Sequence, residues 1–547
     1  MALQELPSSK AREAGDPSVL REASYYAGMA RGLYAYLSTP PVTDADAAIR
    51  RQFENREPAF LNSVRRVVFD RPGNPYRRMF ELAGCSYEDF ADAVRRDGLE
   101  SALAAVQRAG VYLTHDELKG KTEIVRSGEH IPSDDRSFLN PLVRGLMESS
   151  SSGSSGKAMR TRRNPAFQLH AEAYEALRRR EFQTDSLSHV LLWPVLPSTI
   201  WISTTVRAAR AGNPIARWYA VSGKWSDAGH YRVFTAALVT MANLMGTRLP
   251  WPRPLPPHDF SPVARWIARQ RARGERCVLS SFVSSAVRVA AAARERGLDI
   301  SGTLMGMGGE ALTEAKRQVV ESAGCEAAVG YWISEVGPIG AACRQMRTGN
   351  CVHLFHDSVA VISHRRRAPL SDVEVDSLLF TTLLPSSPRV LINAEMDDSG
   401  AIEPARCDCV YTSAGFTTRI RGISSFGKLT GQGMTLMGGD MVRLLEEVLP
   451  ARLGGGPGDY QLVEGESGGE TRLTLRVSPR AGLLSPLPVK ECFLREIRNY
   501  YGGSLASRMW THADAIEVTI AEPIATANGK VHPLHLLRAE WRNSHES

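Results

Sequence analysis

A run of serine and glycine ending in a basic residue, Ser149-Ser-Ser-Ser-Gly153-Ser-Ser-Gly156-Lys157, has the makings of an anion-binding loop. Glycine lets backbone N–H groups close around a phosphate, and the hydroxyls of Ser154 and Ser155 add donors. Lys157 contributes a point charge. The Gly-x4-Gly-Lys-Ser/Thr loop is excluded, because Ser151 stands where its first glycine belongs and Ala158 where its hydroxyl belongs. A flexible Ser/Gly linker has the same composition, so the loop needs support from elsewhere in the chain.

Cysteine supplies a second constellation. Eight cysteines in 547 residues do not make a disulfide scaffold. Cys85, Cys277, Cys325 and Cys492 are dispersed and read as small buried residues. The other four crowd between Cys343 and Cys409. Cys343-x9-His353 followed by Cys407-Asp-Cys409 offers three thiolates and one imidazole, a closed tetrahedral set for structural zinc. Cys351 and His356 are rival ligands, and four reduced buried cysteines are the plain alternative.

Further segments give the loop its context. Ser151-Ser-Gly-Ser-Ser-Gly-Lys157 resembles the phosphate loop of adenylate-forming enzymes, the superfamily of acyl-CoA synthetases, luciferases and peptide-synthetase adenylation domains, and is most similar to the phenylacetate–CoA ligase branch. Gly308-Gly309-Glu310-Ala-Leu312 is similar to the segment lining the adenine pocket. Gly330-Tyr331-Trp332-Ile-Ser334-Glu335 is similar to the Tyr-Gly-x-Ser/Thr-Glu motif. Thr381-Thr-Leu383 through Asp398 resembles the strand and turn ending in a ribose-binding aspartate, and Ala527-Asn-Gly-Lys530 the C-terminal Gly-Lys motif. The five occur in the family's order over most of the chain, from Ser149 to Lys530.

The resemblance implies a carboxylate attacking the α-phosphorus of ATP while pyrophosphate leaves, so two anions must be brought together. It assigns Ser151, Ser152, Gly153, Ser154, Ser155, Gly156 and Lys157 to the β- and γ-phosphates. Gly309, Glu310, Tyr331, Trp332 and Ser334 fall around the nucleotide, and Asp398 would accept from the ribose hydroxyls. Glu335 would hold Mg2+, and Lys530 would span the substrate carboxylate and the α-phosphate. Some members of the phenylacetate–CoA ligase branch carry a Cys/His zinc set beside the active site, which favours zinc here.

Two departures stand out. Trp332 replaces the usual glycine, and a bulky ring there should reshape the acyl and adenine pockets. The hinge motif Gly-Arg-x-Asp reads Gly422-Ile-Ser-Ser425, without its arginine or aspartate; Arg419 or Arg421 is a substitute contact.

The elements that must position these groups are legible in outline. Apolar spacings of three and four make residues 17–110 mainly helical, with Tyr76–Ala83, Tyr87–Arg95 and Ser101–Ala109 as helices. From about Ser137, strands (Val190–Val195, Cys277–Phe282, Thr303–Gly306) alternate with helices (Pro262–Ala272, Val287–Arg296), the pattern of a parallel sheet covered on both faces. Val352–Ser363, Val373–Leu384 and Arg389–Asn393 follow as strands. A hinge is expected near Ser424–Gly431. After it, a helix at Met441–Leu449, strands at Tyr460–Gly465 and Thr471–Val477, a helix at Val489–Tyr501 and a strand at Ala515–Ile520 complete a compact unit.

The expected fold is therefore α/β: a large N-terminal AMP-binding domain (1–425) with sheets sandwiched by helices, plus a small α+β C-terminal lid (426–547). Net charge is +7, but only nine of the 66 basic residues are lysine and the basic runs are short, which argues against nucleic acid as a partner. No apolar run spans a membrane and the opening residues lack a secretory pattern, so a cytoplasmic protein is expected. The expected function is acyl-adenylate formation from ATP and a small carboxylic acid, then acyl transfer to the thiol of coenzyme A. An amine or a carrier protein is an equivalent acceptor, and a nucleotide-binding pseudoenzyme is the alternative of another class.

Overall fold

The structure is a computed structural model. It describes residues 17–134, 136–143, 147–150, 160–196, 198–221, 229–256, 259–310, 312, 314–346, 350–367, 374–425, 428–431, 434–437, 441, 443–456, 458–467, 470–483, 485–499, 510, 515–524 and 533–536. Ser151–Lys157 and Lys530, two of the expected site segments, lie outside the described residues.

Helices open the chain as the apolar spacing predicts: α1 (Pro17–Leu37), α2 (Ala45–Val64), α3 (Pro75–Leu82), α4 (Tyr87–Asp97) and α5 (Leu99–Arg108). Asn74 and Ser86 start α3 and α4 by accepting backbone N–H bonds, and Ser86 with Asp89 forms a full capping box. A one-turn helix, α6 (His115–Leu118), follows. Two hairpins come next, β1 (Ile124–Arg126) with β2 (Glu129–Ile131) and β3 (Met147–Ser150) with β4 (Arg160–Arg163). The second pairs Ser150 with Arg160, on either side of the expected phosphate loop.

The centre is a sheet of twelve strands. Its parallel half takes β5 (Ser188–Leu192), β6 (Arg217–Val221), β7 (Pro252–Leu255), β8 (Cys277–Phe282), β9 (Leu304–Gly308) and β10 (Glu326–Ile333). The antiparallel half takes β11 (Gly337–Ala341), β12 (Cys351–Leu354), β13 (Val359–Arg367), β14 (Glu374–Thr382), β15 (Ala394–Pro404) and β16 (Thr418–Ser425). The spatial order is β13-β14-β15-β16-β12-β11-β10-β9-β8-β5-β6-β7. Helices α7 (Pro165–Phe182), α8 (Ile200–Arg210), α9 (Gly229–Leu244), α10 (Ser261–Ala272), α11 (Val283–Glu295) and α12 (Glu314–Ser322) alternate with the parallel strands. The central strands β5 and β8 are almost wholly buried, as a sheet covered on both faces requires. The architecture is the expected mixed α/β one.

Beyond a short hairpin, β17 (Lys428–Gly431) with β18 (Met434–Met437), a four-stranded sheet forms from β19 (Tyr460–Ser467), β20 (Glu470–Val477), β21 (Ile516–Ile520) and β22 (Leu534–Leu536). The helix Pro486–Glu496 packs there, and Tyr460, Leu475, Phe493 and Trp510 belong to a hydrophobic cluster separate from that of the large sheet.

Two expected strands are corrected. Val352–Ser363 divides into β12 and β13, because His356, Asp357 and Ser358 make a turn closed by the Ser358 N–H on the Phe355 carbonyl at 3.1 Å. Arg389–Asn393 is a connection. Its backbone N–H groups go to side-chain partners, Ile392 to the Tyr76 hydroxyl at 2.9 Å and Leu391 and Asn393 to the hydroxyls of Thr382 and Thr381, and the Asn393 side chain donates to the carbonyls of Leu103 and Val111. The bonds to Tyr76, Leu103 and Val111 fasten the helical N-terminal region to the antiparallel half of the sheet.

Burial of charge marks the joint between α7 and the β12–β13 turn. The Tyr174 hydroxyl lies 2.9 Å from both carboxylate oxygens of Asp357. Burial pushes Asp357 up to about 7, while the hydrogen bond from Tyr174 works against it. A raised folded-state value means that stability from this group is full below the unfolded pKa near ~4 and lost as pH rises through about 7. Asp357→Asn should remove that loss, so its melting temperature should gain on the wild type as pH rises from about 5 to about 8. Parallel melting curves across that range would assign the slope to another group.

Candidate active site and metal centre

Parallel pairing aligns Val329 of β10 with Met307 of β9, so the ends of these strands deliver two of the expected motifs side by side. Gly308, Gly309 and Glu310 close β9; Tyr331 and Trp332 close β10, and Ser334 and Glu335 occupy the turn into β11. This is the edge at which open α/β sheets place their ligands. The glycines are needed sterically. A Cβ on Gly308 would lie 3.1 Å from the Gly330 carbonyl, and Gly309 has φ +80° with Phe282 2.9 Å from the same construction.

Tyr331 turns toward the antiparallel half. Its hydroxyl donates to Asp398 Oδ2 on β15 at 2.7 Å, joining two motifs 67 residues apart in sequence. Burial, and then the Asp398 carboxylate, push the Tyr331 phenol well above its ordinary range, so it stays a donor. The preceding Asp397 sits at φ +58°, and His115 Nδ1 lies 2.9 Å from its Oδ2. Glu335 is almost completely buried and pairs with Lys119 Nζ at 2.9 Å. Trp332 faces the guanidinium of Arg207 on α8, 5.6 Å from its ring centroid. The C-terminal sheet approaches the Gly309–Glu310 end. Burial pushes Glu464 of β19 up to about 7, with Lys316 of α12 pulling down and Glu310 pushing up again.

Among the expected site residues, the structure thus brings together Tyr331 and Asp398 directly, with Trp332, Ser334 and Glu335 on the same strand and turn. Lys119, His115 and Arg207 were missed by the sequence reading. They lie outside its motifs, although the scarcity of lysine that singled out Lys157 and Lys530 applies equally to Lys119.

The cysteine set converges. The ligand atoms of Cys343, His353, Cys407 and Cys409 all lie within 4.8 Å of one another. Cys343 and Cys407 sulfurs are 3.9 Å apart, Cys407 and Cys409 sulfurs 3.7 Å, and His353 Nε2 is 3.2 Å from both Cys407 and Cys409. Four tetrahedral ligands on zinc, with Zn–S near ~2.3 Å, put sulfurs about 3.8 Å apart. The donor set fits. His353 Nδ1 lies 2.9 Å from the Phe416 carbonyl, which can only accept, so Nε2 keeps its lone pair toward the thiols. The hydrogen bond with Cys343, then that with His353, hold the Cys409 thiol well below its usual range. The rivals are elsewhere: Cys351 is two residues from His353 along β12, a step of about 6–7 Å, and His356 Nδ1 is 3.1 Å from the Leu354 carbonyl.

Backbone geometry holds this centre. A Cβ on Gly340 would come 2.1 Å from the His353 carbonyl, so glycine allows β11 and β12 their close approach. Glu181 of α7 accepts the N–H of Arg344 at 2.9 Å and of Val410 at 3.0 Å, each one residue past a cysteine of the set.

No family model matches the chain, and no curated protein matches it in sequence. Solved structures do match. A 2-hydroxyisobutyryl-CoA ligase, in complex with 2-HIB-AMP and CoA in its thioesterification state, superposes with a TM-score of 0.51. The match covers 91% of this chain and 90% of that one, at 14% identity. The fold is that of the adenylate-forming enzymes. The same ligase in its postadenylation state gives a TM-score of 0.45 at 14% identity, over 92% of this chain and 91% of that one. Among the described residues, no helix is long and apolar enough to cross a membrane.

Replacing Glu181 by Ala leaves two half-buried backbone N–H groups without their acceptor, at about 1–3 kcal/mol in all. A fall in unfolding free energy of roughly that size, read by denaturant titration, is the expected outcome. An unchanged midpoint would mean that the two loops hold themselves.

Proposed function

We propose that this chain is an ATP-dependent ligase that activates a small carboxylic acid as its acyl-adenylate and then transfers the acyl group, most favourably to coenzyme A. The observation that carries the reading is the Tyr331–Asp398 hydrogen bond, beside Glu335, at the strand ends of this fold.

The proposed chemistry follows from that arrangement. Asp398 accepts from the ribose hydroxyls, and Tyr331 holds the carboxylate in place and presents its ring to the nucleotide. Ser151, Ser152, Gly153, Ser154, Ser155, Gly156 and Lys157 cradle the β- and γ-phosphates, while Gly309, Glu310, Trp332 and Ser334 line the adenosine and acyl side. A substrate carboxylate oxygen attacks the α-phosphorus, and the bond to pyrophosphate breaks. Lys530 neutralises the charge that gathers between the two anions. Magnesium at Glu335 would screen the phosphates. The acceptor thiol then attacks the acyl carbon and AMP leaves. An amine or a carrier-protein thiol fits the second step equally.

The bound acyl-adenylate and CoA of the 2-hydroxyisobutyryl-CoA ligase support this order of events. A cytoplasmic setting, residues 426–547 as the lid, and zinc held structurally by Cys343, His353, Cys407 and Cys409 belong to the same proposal.

ATP–pyrophosphate exchange with a panel of aryl, fatty and amino acids tests the first step. At least one acid should support exchange, and Lys530→Ala should abolish it while ATP binding survives. Silence across the panel with intact nucleotide binding would identify a pseudoenzyme instead. Asp398→Asn should raise the KM for ATP by roughly tenfold, equivalent to about 1.4 kcal/mol. For the metal, elemental analysis should give one zinc per chain, and chelation should lower the melting temperature; less than a trace of zinc would end that assignment.

A further inference from the structure

Lys119 follows the last residue of α6 and places Nζ 2.9 Å from Oε1 of Glu335. Side-chain exposures of 8% and 7% show that the pair is nearly dry. Both main chains are fastened. Thr114 and Glu117 form a capping box on α6, Arg126 holds Glu117 at 2.7 Å, and Leu113 exchanges backbone hydrogen bonds with Asn393 and Glu395 at the start of β15. Glu335 sits in the tight connection between the antiparallel partners β10 and β11. The ammonium, on a four-carbon stem, is the part of this contact that moves most easily.

A magnesium ion approaches a carboxylate oxygen to about 2.0–2.1 Å. Lys119 already stands at Oε1, and two cations on one oxygen repel each other. Resting on the reading of Glu335 as the magnesium carboxylate, we infer that Lys119 is an internal counter-ion that competes with the divalent cation for Glu335. Lys119 keeps the buried carboxylate paired in the resting molecule, where an unpaired charge is costly, and yields it when the ion arrives. The lysine therefore sets the concentration of cation at which Glu335 is loaded. It is a positioning residue, acting on the reaction through Glu335.

The test reads cation binding without turnover. Mn2+ alone is titrated into the full chain and followed by water proton relaxation, for wild type, Lys119→Met, Lys119→Arg and Glu335→Gln. Lys119→Met should bind Mn2+ roughly tenfold more tightly. Its melting temperature should fall below wild type in chelator and recover when Mg2+ is added. Lys119→Arg, whose planar fork grips a carboxylate with two donors, should bind Mn2+ more weakly than wild type. Unchanged or weaker binding by Lys119→Met overturns the inference. If that variant does not fold, Lys119→Arg decides, and unchanged or tighter binding overturns it. Glu335→Gln separates the two levels. Wild-type cation affinity in that variant removes Glu335 from metal binding and takes the underlying reading with it. Lost affinity there, with Lys119→Met unaltered, sinks the lysine's role alone.

Discussion

Buried and half-buried acids, each held by a partner group, govern the design of this cleft. Each acid at the strand ends is met by a donor: Asp398 by the Tyr331 hydroxyl, Asp397 by His115, Glu335 by Lys119. Burial works the other way on an acid less well supplied, as the raised value of Glu464 illustrates elsewhere in the molecule. Two of the three donors come from the single turn at α6. Asp397 and Asp398 stand on β15 and Glu335 in the β10–β11 turn, but a short helix far upstream supplies two of their partners.

That division explains what could be seen in the sequence. Cys277–Phe282 is a strand over the residues its apolar run indicates, and the helical spacing of α3, α4 and α5 holds within one or two residues. Such patterns record burial by whole elements, which depends on local periodicity. Arg389–Asn393 carries the same apolar signature yet forms no strand, because its backbone N–H groups go to Tyr76, to Phe138 and to the hydroxyls of Thr381 and Thr382 and build no ladder. Long-range partners of that kind leave no trace in spacing. His115 and Lys119 escaped for the same reason: their partners lie 282 and 216 residues away, in segments with which they share no local pattern.

The cysteine cluster was legible because thiols are rare enough for crowding to stand out. Choosing among candidates required the position along the strand, since residues two apart share a face. His353 and Cys351 share a strand, and only the histidine reaches the loops of Cys343 and Cys407. The helix contribution was invisible from the motif, since Glu181 binds two backbone N–H groups and no ligand side chain.

Glu181 is also one of several polar groups strung along α7. On the same helix, Glu172 accepts from the Tyr36 hydroxyl of α1 and pairs with Arg210 of α8, and Tyr174 reaches the Asp357 turn. One rod of 18 residues thereby touches the first helix, the β12–β13 connection and the thiol loops. Opening any one of those attachments exposes buried charge at the others, so α7 and its neighbours should open as a single unit. In exchange with heavy water, their amides would share one slow rate instead of fraying separately.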